Sequence, residues 1–303
     1  MRVGLVGLGR MGSAIVPHLV RGCTSVTVWN RSADKCEAAI SAGAQAAQSL
    51  AQIVEACDIV FSILFDDVAV NEVYLAANGL LAQECAGRIF VEMSTIKPGT
   101  VREIARVARA RGASLVDAPV SGTVGPAREG KLLVLAGGEA ADVARVAPVL
   151  SLFSRKIIHM GPIGSGASMK LALQLPLYVY WQALGEALSI GRASGLALAD
   201  MLAAIADSPA AIGMLSAKIP VLLDQDNEAA FALSAALKDL TLIADFGRDL
   251  GMRMPCASTA RDTYDAATQL GWGDKDVARL VTFMMQMATT RPPRSDYKSL
   301  GDP

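Results

Sequence analysis

The sequence predicts an α/β protein with a doubly wound parallel sheet, followed by an all-helical second domain. Short apolar strands alternate with alanine-rich helical segments up to about residue 160, a pattern typical of a parallel sheet with helices on both faces. Beyond that point the strand signals stop and long Ala/Leu helices follow. A glycine-rich turn comes directly after the first strand. We expect a first domain over residues 1–162, a second over 163–290 and a polar tail over 291–303.

Length and composition indicate a two-domain globular protein. A chain of 303 residues is long for a single core, and 52% of its residues are apolar against 19% charged. The net charge of −1 gives no electrostatic reason to bind nucleic acid or an anionic membrane. Five scattered cysteines lack metal-ligand spacing, so we expect reduced thiols and no metal site. No signal peptide precedes the first strand and no apolar run reaches the roughly 18 residues of a membrane span, which together predict a cytoplasmic protein.

The first domain is predicted from strand patterns in chain order. MRVGLVGLG is a short apolar strand that runs into glycines, and SAIVPHLVRG after it has helical spacing. Five further strands follow at intervals filled by helical segments: SVTVWN, DIVFSIL, RIFVEMS, SLVDAPV and LLVLAGG. Strands separated in this way by helices are expected to pair in parallel.

The second domain is predicted to open with a long helix over about residues 167–194. The composition changes near MGPIGSG, residues 160–166, and the later helices are interrupted by Gly195, Pro209, Pro220 and Gly251. About 28 helical residues span about 42 Å, which is longer than a small domain needs. Such a helix leaves an apolar flank that a second subunit can cover, so we expect a homodimer or a homotetramer.

The turn GLGRMG after the first strand is the first candidate binding site. Gly7 permits the tight turn, Gly9 lets the backbone approach a pyrophosphate, and Gly12 allows the helix to pack closely on the strand. The helix start adds free N–H groups and partial positive charge. A structural turn without a ligand is the alternative, but the position between a strand and a helix favours a Rossmann-type dinucleotide site. The expected contacts comprise the whole turn: Gly7, Leu8, Gly9, Arg10, Met11 and Gly12.

The second strand ends in a basic turn, where a dinucleotide site usually carries an acid. An Asp or Glu about 20 residues after the glycine turn would hold the free 2′-hydroxyl of NAD. Asn30 removes the carboxylate that would repel a 2′-phosphate, and Arg31, Ser32 and Lys35 can bind that phosphate. The alternative is that Arg31 and Lys35 are ordinary solvated surface charges. We expect NADP(H) as the cofactor, with NADPH preferred over NADH.

Five ordered motifs resemble those of the β-hydroxyacid dehydrogenase family. They are GLGRMG, EMSTIKP (92–98), DAPVSGT (117–123), GPIGSGASMKLALQ (161–174) and KDL (238–240). Each motif is modest alone, whereas their combination over residues 1–290 is specific. The resemblance implies an oxidoreductase that acts on small hydroxy acids, with a dinucleotide-binding domain, a helical domain and a dimeric or tetrameric assembly.

The resemblance implies a substrate site that holds a carboxylate. Ser121, Gly122 and Thr123 match the family's acid-binding segment, and a serine hydroxyl with consecutive backbone N–H groups can form an anion-binding nest. Thr123 stands where the family commonly has a second glycine. Gln174 stands where the family usually has Asn; its additional methylene lets the amide reach further and is expected either to shift substrate preference or to weaken turnover. Phe231 is expected to cap the pocket, on the same helical pattern as the KDL motif.

The resemblance also implies that Lys170 is the catalytic residue. A lysine can act as general acid/base, giving a proton to the carbonyl oxygen in reduction and removing it in oxidation. A surface lysine at a helix start is the alternative. Pro176 falls inside the predicted long helix and is expected to kink or loosen it. Further positions that match the family's cofactor contacts are Leu64, Phe65, Thr95 and Lys238.

The predicted function is NADP(H)-dependent interconversion of a small β-hydroxy acid and its semialdehyde or oxo acid. An imine reductase is the first alternative, because those enzymes share the two-domain plan and a similar turn after the second strand. They usually replace the lysine and lack the DAPVSG segment, whereas this chain keeps both. A non-catalytic NADP-binding scaffold is the second alternative, and retention of Lys170 argues against it. A 6-phosphogluconate dehydrogenase ranks last, because the chain is too short for that enzyme's helical domain.

Overall fold

The computed structural model describes residues 1–289, and the tail predicted over 291–303 lies outside them. By its internal packing the chain divides into two units, Met1–Gln174 and a second one that begins at Leu175. This division falls inside a long helix, and the domain limits predicted at 162/163 stay a prediction. Within the described residues, no helix is both long enough and apolar enough to cross a lipid bilayer.

One mixed sheet forms the centre of the first unit. Over residues 1–289 its strands are β1 (Arg2–Val6), β2 (Ser25–Trp29), β3 (Gln45–Ala46), β4 (Ile59–Ser62), β5 (Ile89–Glu92), β6 (Ser114–Asp117), β7 (Val120–Ser121), β8 (Leu132–Gly137) and β9 (Ser154–Gly161). Their order across the sheet is β3-β2-β1-β4-β5-β6-β8-β7, and β9 pairs with β8.

Strand register aligns the carboxyl ends of the central strands. All pairings from β3 to β6 along this order are parallel, with Val6 opposite both Trp29 and Ser62. Ser62 lies opposite Glu92, which in turn lies opposite Asp117. Strand β8 is antiparallel to β6 and β7 but parallel to β9. The loops that follow the parallel strands therefore emerge at one edge of the sheet.

Helices cover both faces of this sheet. Along β1, Val3 and Leu5 belong to one buried apolar cluster and Val6 to another, as expected because successive side chains of a strand point to opposite faces. The helices of this unit are α1 (Arg10–Gly22), α2 (Glu37–Ser41), α3 (Leu50–Ala56), α4 (Asp67–Leu75), α5 (Pro98–Ala110), α6 (Val124–Arg128) and α7 (Ala140–Leu150), with 3₁₀ turns at Ala33–Cys36 and Leu80–Ala82. Residues of α1 and α7 contribute to the first cluster, and residues of α3, α4 and α5 to the second.

A single long helix, α8 (Ser165–Ala193), runs from the first unit into the second. Its 29 residues correspond to about 43 Å at 1.5 Å per residue. The helix continues without interruption through Pro176, so any local effect of the missing backbone donor is smaller than a break. The long helix predicted over about 167–194 is confirmed.

The second unit is helical around buried aromatic residues. Tyr178, Trp181 and Tyr264 are fully buried, and the rings of Tyr178 and Tyr264 meet edge-on at 5.9 Å. A buried ion pair between Lys218 and Asp276, at 2.6 Å, joins the second helix after α8 to the segment that precedes the last helix. The helices after α8 are α9 (Leu198–Ala206), α10 (Leu215–Leu222), α11 (Leu233–Asp249), α12 (Pro255–Ala267) and α13 (Arg279–Thr289), with a π-helical turn at Thr268–Trp272.

The predicted fold class is confirmed, and the sheet has more strands than the sequence indicated. All six predicted strands are present as β1, β2, β4, β5, β6 and β8. Strands β3 and β7, which are only two residues long, were not predicted from the sequence, and neither was β9. Within residues 1–289, strand β9 pairs only with β8. Its sequence SRKIIHMG carries exposed charges where buried apolar residues would have identified a central strand.

Candidate active site

Four loops meet at the carboxyl edge of the sheet in the first unit. The strand order extends from β1 to β2 and β3 on one side, and to β4, β5 and β6 on the other. In open α/β sheets, ligands bind in the crevice at the strand ends where the order reverses. The loops at this edge follow β1, β2, β4 and β5, and they contain most of the positions that the sequence analysis singled out.

The glycines of the first loop have three different surroundings. Gly7 has φ of +97°, and a Cβ there would lie 2.3 Å from the carbonyl oxygen of Ile63. A Cβ on Gly12 would lie 2.0 Å from the carbonyl oxygen of Gly7, so helix α1 packs closely on the turn. No atom of the described residues beyond its neighbours comes within 4 Å of a Cβ placed on Gly9. Gly9 is thus the position open to a ligand, and the other two glycines shape the turn.

Asn30 joins the first two loops. Its side-chain oxygen accepts a hydrogen bond from the backbone N–H of Leu8 at 2.9 Å, and its amide nitrogen donates to the carbonyl oxygen of Ser32 at 3.0 Å. An aspartate could accept from Leu8 but could not donate to Ser32. The amide therefore holds the glycine turn against the basic turn, a structural role that the sequence analysis did not assign to Asn30.

Cationic side chains border these two loops. The Arg31 side chain is 83% exposed and lies 4.0 Å from the carboxylate of Glu72, an ion pair between exposed groups that contributes about 0–1 kcal/mol. Lys35 is exposed in the 3₁₀ turn, and Arg10 is exposed at the start of α1. Met11 is half-buried and packs on the apolar cluster below the turn. Arg31, Lys35 and Arg10 are accessible to an anionic ligand at this edge.

The loops after β4 and β5 are tied to each other. The backbone N–H of Leu64 donates to the hydroxyl of Ser94 at 2.7 Å. Thr95 follows Ser94 and is half-buried, whereas Phe65 is 60% exposed. The Ser94 backbone N–H in turn donates to Oε1 of Glu92 at 2.6 Å. The predicted cofactor contacts at Leu64 and Thr95 thus depend on one buried carboxyl group.

Glu92 is the centre of a buried polar network. Its second oxygen accepts a hydrogen bond from the Ser62 hydroxyl, which also lies 2.6 Å from the hydroxyl of Tyr74. Burial raises the pKa of Glu92 to about 7; hydrogen bonds from Ser62 and Ser94 oppose this, and the charge of Asp117 adds to it. Glu92 belongs to the motif EMSTIKP, but its role was not predicted from the sequence, because its partner Ser62 lies 30 positions earlier in the chain.

The predicted acid-binding segment lies between β7 and α6. Ser121 is half-buried at the end of β7, opposite Leu133 of β8. Gly122 has φ of +132°, and a Cβ there would lie 2.7 Å from the side chain of Leu132, so this position requires glycine. Thr123 is the N-cap residue of α6. A serine hydroxyl therefore stands beside the N-terminus of a short helix, which is compatible with binding a carboxylate.

Lys170 and Gln174 occupy the first turns of α8, which pack within the first unit. Both side chains are buried, with 7% exposure each, and their i,i+4 spacing places them on one helix face. Asp117, at the end of β6, holds this helix start through both of its carboxylate oxygens. Oδ1 accepts from the N–H of Gly164 at 2.8 Å and Oδ2 accepts from the N–H of Ala167 at 2.7 Å.

In the second unit the KDL motif belongs to a buried hydrogen-bonded group. Lys238 pairs with Asp239 at 2.9 Å, and their side chains are only 18% and 3% exposed, so the pair is not a solvated surface pair. The Tyr178 hydroxyl donates to the other oxygen of Asp239 at 2.6 Å. Phe231 stacks on Tyr178, with ring centroids 6.4 Å apart and planes at 12°. The four side chains form one cluster in this unit.

One detail of the sequence prediction is wrong. Phe231 was placed on the same helix as Lys238, but α11 begins at Leu233, and Ala232 is its N-cap residue. The segment before α11 is held instead by backbone hydrogen bonds to residues 273–277. Val277 N–H donates to the carbonyl oxygen of Phe231 at 2.8 Å, and Leu233 N–H donates to that of Lys275 at 2.9 Å. These tertiary bonds outweigh the local helical pattern.

The sequence-predicted positions thus fall into two groups. Those numbered up to 174 belong to the first unit, and Phe231 and Lys238 belong to the second. The residues that the sequence analysis missed are the buried partners Glu92, Asp117 and Asp239. Each of them lies inside a motif that was quoted, and their bonds connect distant parts of the chain. Among the described residues, no group of three or more His, Cys, Asp or Glu side chains is placed to hold a metal ion.

Two family models together match almost the whole described chain. Residues 2–161 match the NAD binding domain of 6-phosphogluconate dehydrogenase. Residues 164–284 match the NAD-binding domain of NADP-dependent 3-hydroxyisobutyrate dehydrogenase. The first match covers the sheet with its glycine turn, and the second covers α8 and the helices after it.

Individual relatives agree with these matches. The chain is 32% identical over 282 residues to glyoxylate/succinic semialdehyde reductase 1 of Arabidopsis thaliana, covering 93% of this chain and 97% of that protein. It is 30% identical over 277 residues to the cytokine-like nuclear factor N-PAC of Xenopus tropicalis, but it spans only 52% of that longer protein's length. A crystal structure of 3-hydroxyisobutyrate dehydrogenase from Salmonella typhimurium superposes with a TM-score of 0.84, at 27% identity, over 93% of this chain and 99% of that one.

The glycine turn, the ordered motifs and the helical second unit agree with both family models and with a relative that matches over almost its full length. The chain belongs to the β-hydroxyacid dehydrogenase family, as an NAD(P)-dependent hydroxyacid dehydrogenase.

Proposed function

We propose that this protein interconverts a small β-hydroxy acid and the corresponding semialdehyde or oxo acid with NADP(H), using Lys170 as general acid/base. One observation carries the proposal. Asp117 joins the strand that leads to Ser121 with the helix that carries Lys170. The same unit presents the glycine turn at the carboxyl edge of its sheet. A carboxylate-binding segment, a proton-transferring amine and a dinucleotide loop are the components that this reaction needs.

The basic turn after β2 supports NADP(H) as the cofactor. The first residue of that turn is the amide Asn30, which carries no charge to repel a 2′-phosphate. The exposed guanidinium of Arg31 can bind a phosphate in a bidentate manner, and its weak pairing with Glu72 costs little to replace. The family model matched by the second half also describes an NADP-dependent enzyme. When bound, the reduced cofactor supplies a hydride from its nicotinamide ring.

The predicted substrate carries an acid group close to an aldehyde or ketone. Ser121, Gly122 and Thr123 would bind the acid group, with the serine hydroxyl and the N–H groups at the start of α6 as donors. The name of the Arabidopsis thaliana relative gives two compounds of this class, glyoxylate and succinic semialdehyde. Gln174, one helical turn after Lys170, is an amide that could contact the substrate's polar groups.

Lys170 completes the proton balance of the reaction. In reduction, the Lys170 ammonium would donate a proton to the carbonyl oxygen, and the bound cofactor would supply the hydride for the carbonyl carbon. The neutral amine would then regain a proton from water. In oxidation, the neutral amine would remove the hydroxyl proton, and the oxidised cofactor would accept the hydride. A positioned general acid/base of this kind accelerates such a reaction by about 10²–10⁴-fold.

The test replaces Lys170 by methionine, which has a similar length and no charge. Consumption of NADPH is followed with glyoxylate, with succinic semialdehyde and with a cyclic imine. Lys170→Met should lower kcat on the acids by about 10²–10⁴-fold, whereas NADPH binding, measured by fluorescence titration, is retained. Lys156→Met, at an exposed lysine of β9, is the matched control and should keep full activity.

Two results would contradict the proposal, and each points to a different function. Faster turnover of the imine than of either acid would identify an imine reductase. Tight NADPH binding without turnover of any carbonyl or imine would identify a binding scaffold. A homodimeric or homotetrameric assembly stays a prediction.

A further inference from the structure

The carboxylate of Asp117 is buried between two segments that the proposed reaction needs. Asp117 is the last residue of β6 and is 1% exposed. The chain after it is fixed to the sheet, since Ala118 N–H donates to the backbone carbonyl oxygen of Glu92 at 2.7 Å and Leu135 N–H donates to that of Pro119 at 3.0 Å. Four residues after Asp117, Ser121 pairs with β8. The position of Asp117 thus defines the start of the acid-binding segment.

The carboxylate of Asp117 accepts backbone hydrogen bonds at the beginning of α8. Its two oxygens accept N–H bonds from Gly164 and Ala167, and Lys170 follows Ala167 by three residues, about one helical turn. The first N–H groups of a helix have no partner within the helix, so a carboxylate that accepts them fixes the helix start in place. Asp117 comes from a strand about 50 positions earlier, and it anchors the helix to the sheet.

Glycines allow the helix start to approach this carboxylate. A Cβ on Gly137, opposite Asp117 in the sheet, would lie 2.4 Å from Oδ1. A Cβ on Gly166 would lie 2.2 Å from the carbonyl oxygen of Leu135 and 2.9 Å from Oδ2 of Asp117. All three distances are below a normal contact, so any larger residue would push the helix away from the sheet.

We propose that Asp117 is a positioning residue, which sets the distance between the acid-binding segment 121–123 and Lys170. It acts through backbone hydrogen bonds at the start of α8 and does not itself contact the substrate. This inference rests on the proposed function of Lys170 and adds a residue to it. The nearby buried carboxyl Glu92 bonds to Ser62 and Ser94 instead, so the two acids hold different loops.

Asp117→Asn is the first test. The variant keeps the size of the side chain but replaces one acceptor oxygen by an NH₂ group, so either Gly164 or Ala167 N–H faces a second donor. The helix start must then shift, and displacement of a catalytic group by about 1 Å can lower the rate by about 10²-fold. We expect kcat to fall by about that factor. The KM for NADPH should change by less than about threefold, because the glycine and Asn30 turns follow other strands.

A matched variant separates positioning from lost stability. Leu150→Ala removes a fully buried side chain at the end of α7, in a region to which no site role is assigned. It should lower the thermal midpoint of unfolding at least as much as Asp117→Asn does. Its kcat, calculated per protein molecule that binds NADPH, should stay within about twofold of the wild-type value. The solvent deuterium isotope effect on kcat should rise in Asp117→Asn, because proton transfer from a displaced lysine becomes slower, and it should stay unchanged in Leu150→Ala.

Gly166→Ala displaces the same helix start while Asp117 is kept. Alanine favours the helical conformation more than glycine does, so a loss of kcat here cannot come from weaker helix formation. Hydrogen exchange measured by mass spectrometry supplies a readout without substrate. In Asp117→Asn and in Gly166→Ala, amides of residues 164–170 should exchange faster, whereas those of residues 1–35 should not change.

The combined results decide the proposal. Faster exchange at 164–170 together with a kcat loss absent from Leu150→Ala supports it. Unchanged exchange, or faster exchange with an unchanged kcat, overturns it. A wild-type protein that binds NADPH but turns over no acid substrate refutes the proposed function, and the positioning role with it. In that case the exchange data still show whether Asp117 anchors α8, so the two failures are distinguishable.

Discussion

The buried carboxyl group of Glu92 predicts an unusual dependence of stability on pH. Its pKa is raised by burial to about 7, from 4.5 for an ordinary glutamate. Between these values the folded protein holds a proton on Glu92 that the unfolded chain has lost. This contribution to stability is complete below pH 4.5 and is lost as the pH rises through 7. Glu92→Gln should abolish the loss, because glutamine resembles the protonated acid.

The network around Glu92 accommodates that substitution. The amide oxygen can accept from Ser94 N–H as Oε1 does, and the amide nitrogen can donate to the Ser62 hydroxyl, which then donates to Tyr74. A shift from 4.5 to about 7 corresponds to about 3 kcal/mol, at about 1.4 kcal/mol per unit. The variant and the wild type should therefore be about equally stable below pH 5. At pH 8 the variant should be about 3 kcal/mol more stable.

Urea unfolding at pH 5, 6, 7 and 8 and constant ionic strength measures this difference. Subtracting the wild-type free energy of unfolding from that of the variant at each pH removes the contribution of groups that titrate in both proteins. Circular dichroism and tryptophan fluorescence should be followed together, because a chain of two units can unfold in more than one step. Glu55→Gln, at an exposed glutamate of α3, is the control and should change stability by less than about 0.5 kcal/mol at every pH.

A difference between Glu92→Gln and the wild type that stays constant from pH 5 to pH 8 would refute this reasoning. It would mean that Glu92 is ionised in the folded protein throughout that range. A variant less stable than the wild type at pH 8 would show that the hydrogen bonds, and not the charge, dominate at this position.

Two further predictions concern the ligands. Arg31→Ala should weaken NADPH binding about tenfold and NADH binding less than threefold, because it removes a charge-assisted contact that only the 2′-phosphate makes. Glu72→Gln should slightly strengthen NADPH binding. Equal effects of Arg31→Ala on the two cofactors in fluorescence titrations would contradict the assignment of Arg31 to the 2′-phosphate. Gln174→Asn removes one methylene beside Lys170 and should raise kcat/KM for succinic semialdehyde relative to glyoxylate by about tenfold; an unchanged ratio would place Gln174 away from the substrate.

Local steric rules made part of the candidate site predictable from sequence. The glycine turn is required by contacts within a few residues, such as the 2.0 Å that would separate a Gly12 Cβ from the Gly7 carbonyl oxygen. Strand and helix patterns predicted the parallel sheet of the first unit because parallel strands need crossover helices. The absence of a carboxylate at Asn30 was visible in the same way. The hydrogen bond from Leu8 to Asn30 could not be predicted from the sequence, because it depends on the register between β1 and β2.

The remaining features depend on bonds between distant residues. Glu92 and Asp117 end neighbouring strands, and each has partners that lie 30 to 50 positions away. No local pattern distinguishes a buried acid of this kind from a surface acid at a strand end. Phe231 was misplaced for a related reason: backbone bonds to residues 273–277 decide its conformation. Sequence patterns identified the segments that contain the site, and tertiary contacts assigned the individual buried side chains.

The two buried acids at the ends of β5 and β6 differ in what stabilises their charge. Burial raises the pKa of Asp117, but both of its oxygens accept backbone N–H groups at the positive end of a long helix, and these bonds oppose that rise. Glu92 accepts from the Ser62 hydroxyl and the Ser94 N–H, and the charge of Asp117 on the adjacent strand raises its pKa further. A neutral Glu92 can donate to Ser62, and this keeps the loops of Leu64 and Thr95 together without a second buried charge. Ionisation of Glu92 above pH 7 would place two negative charges side by side. These loops, and not the start of α8, should therefore loosen first at alkaline pH.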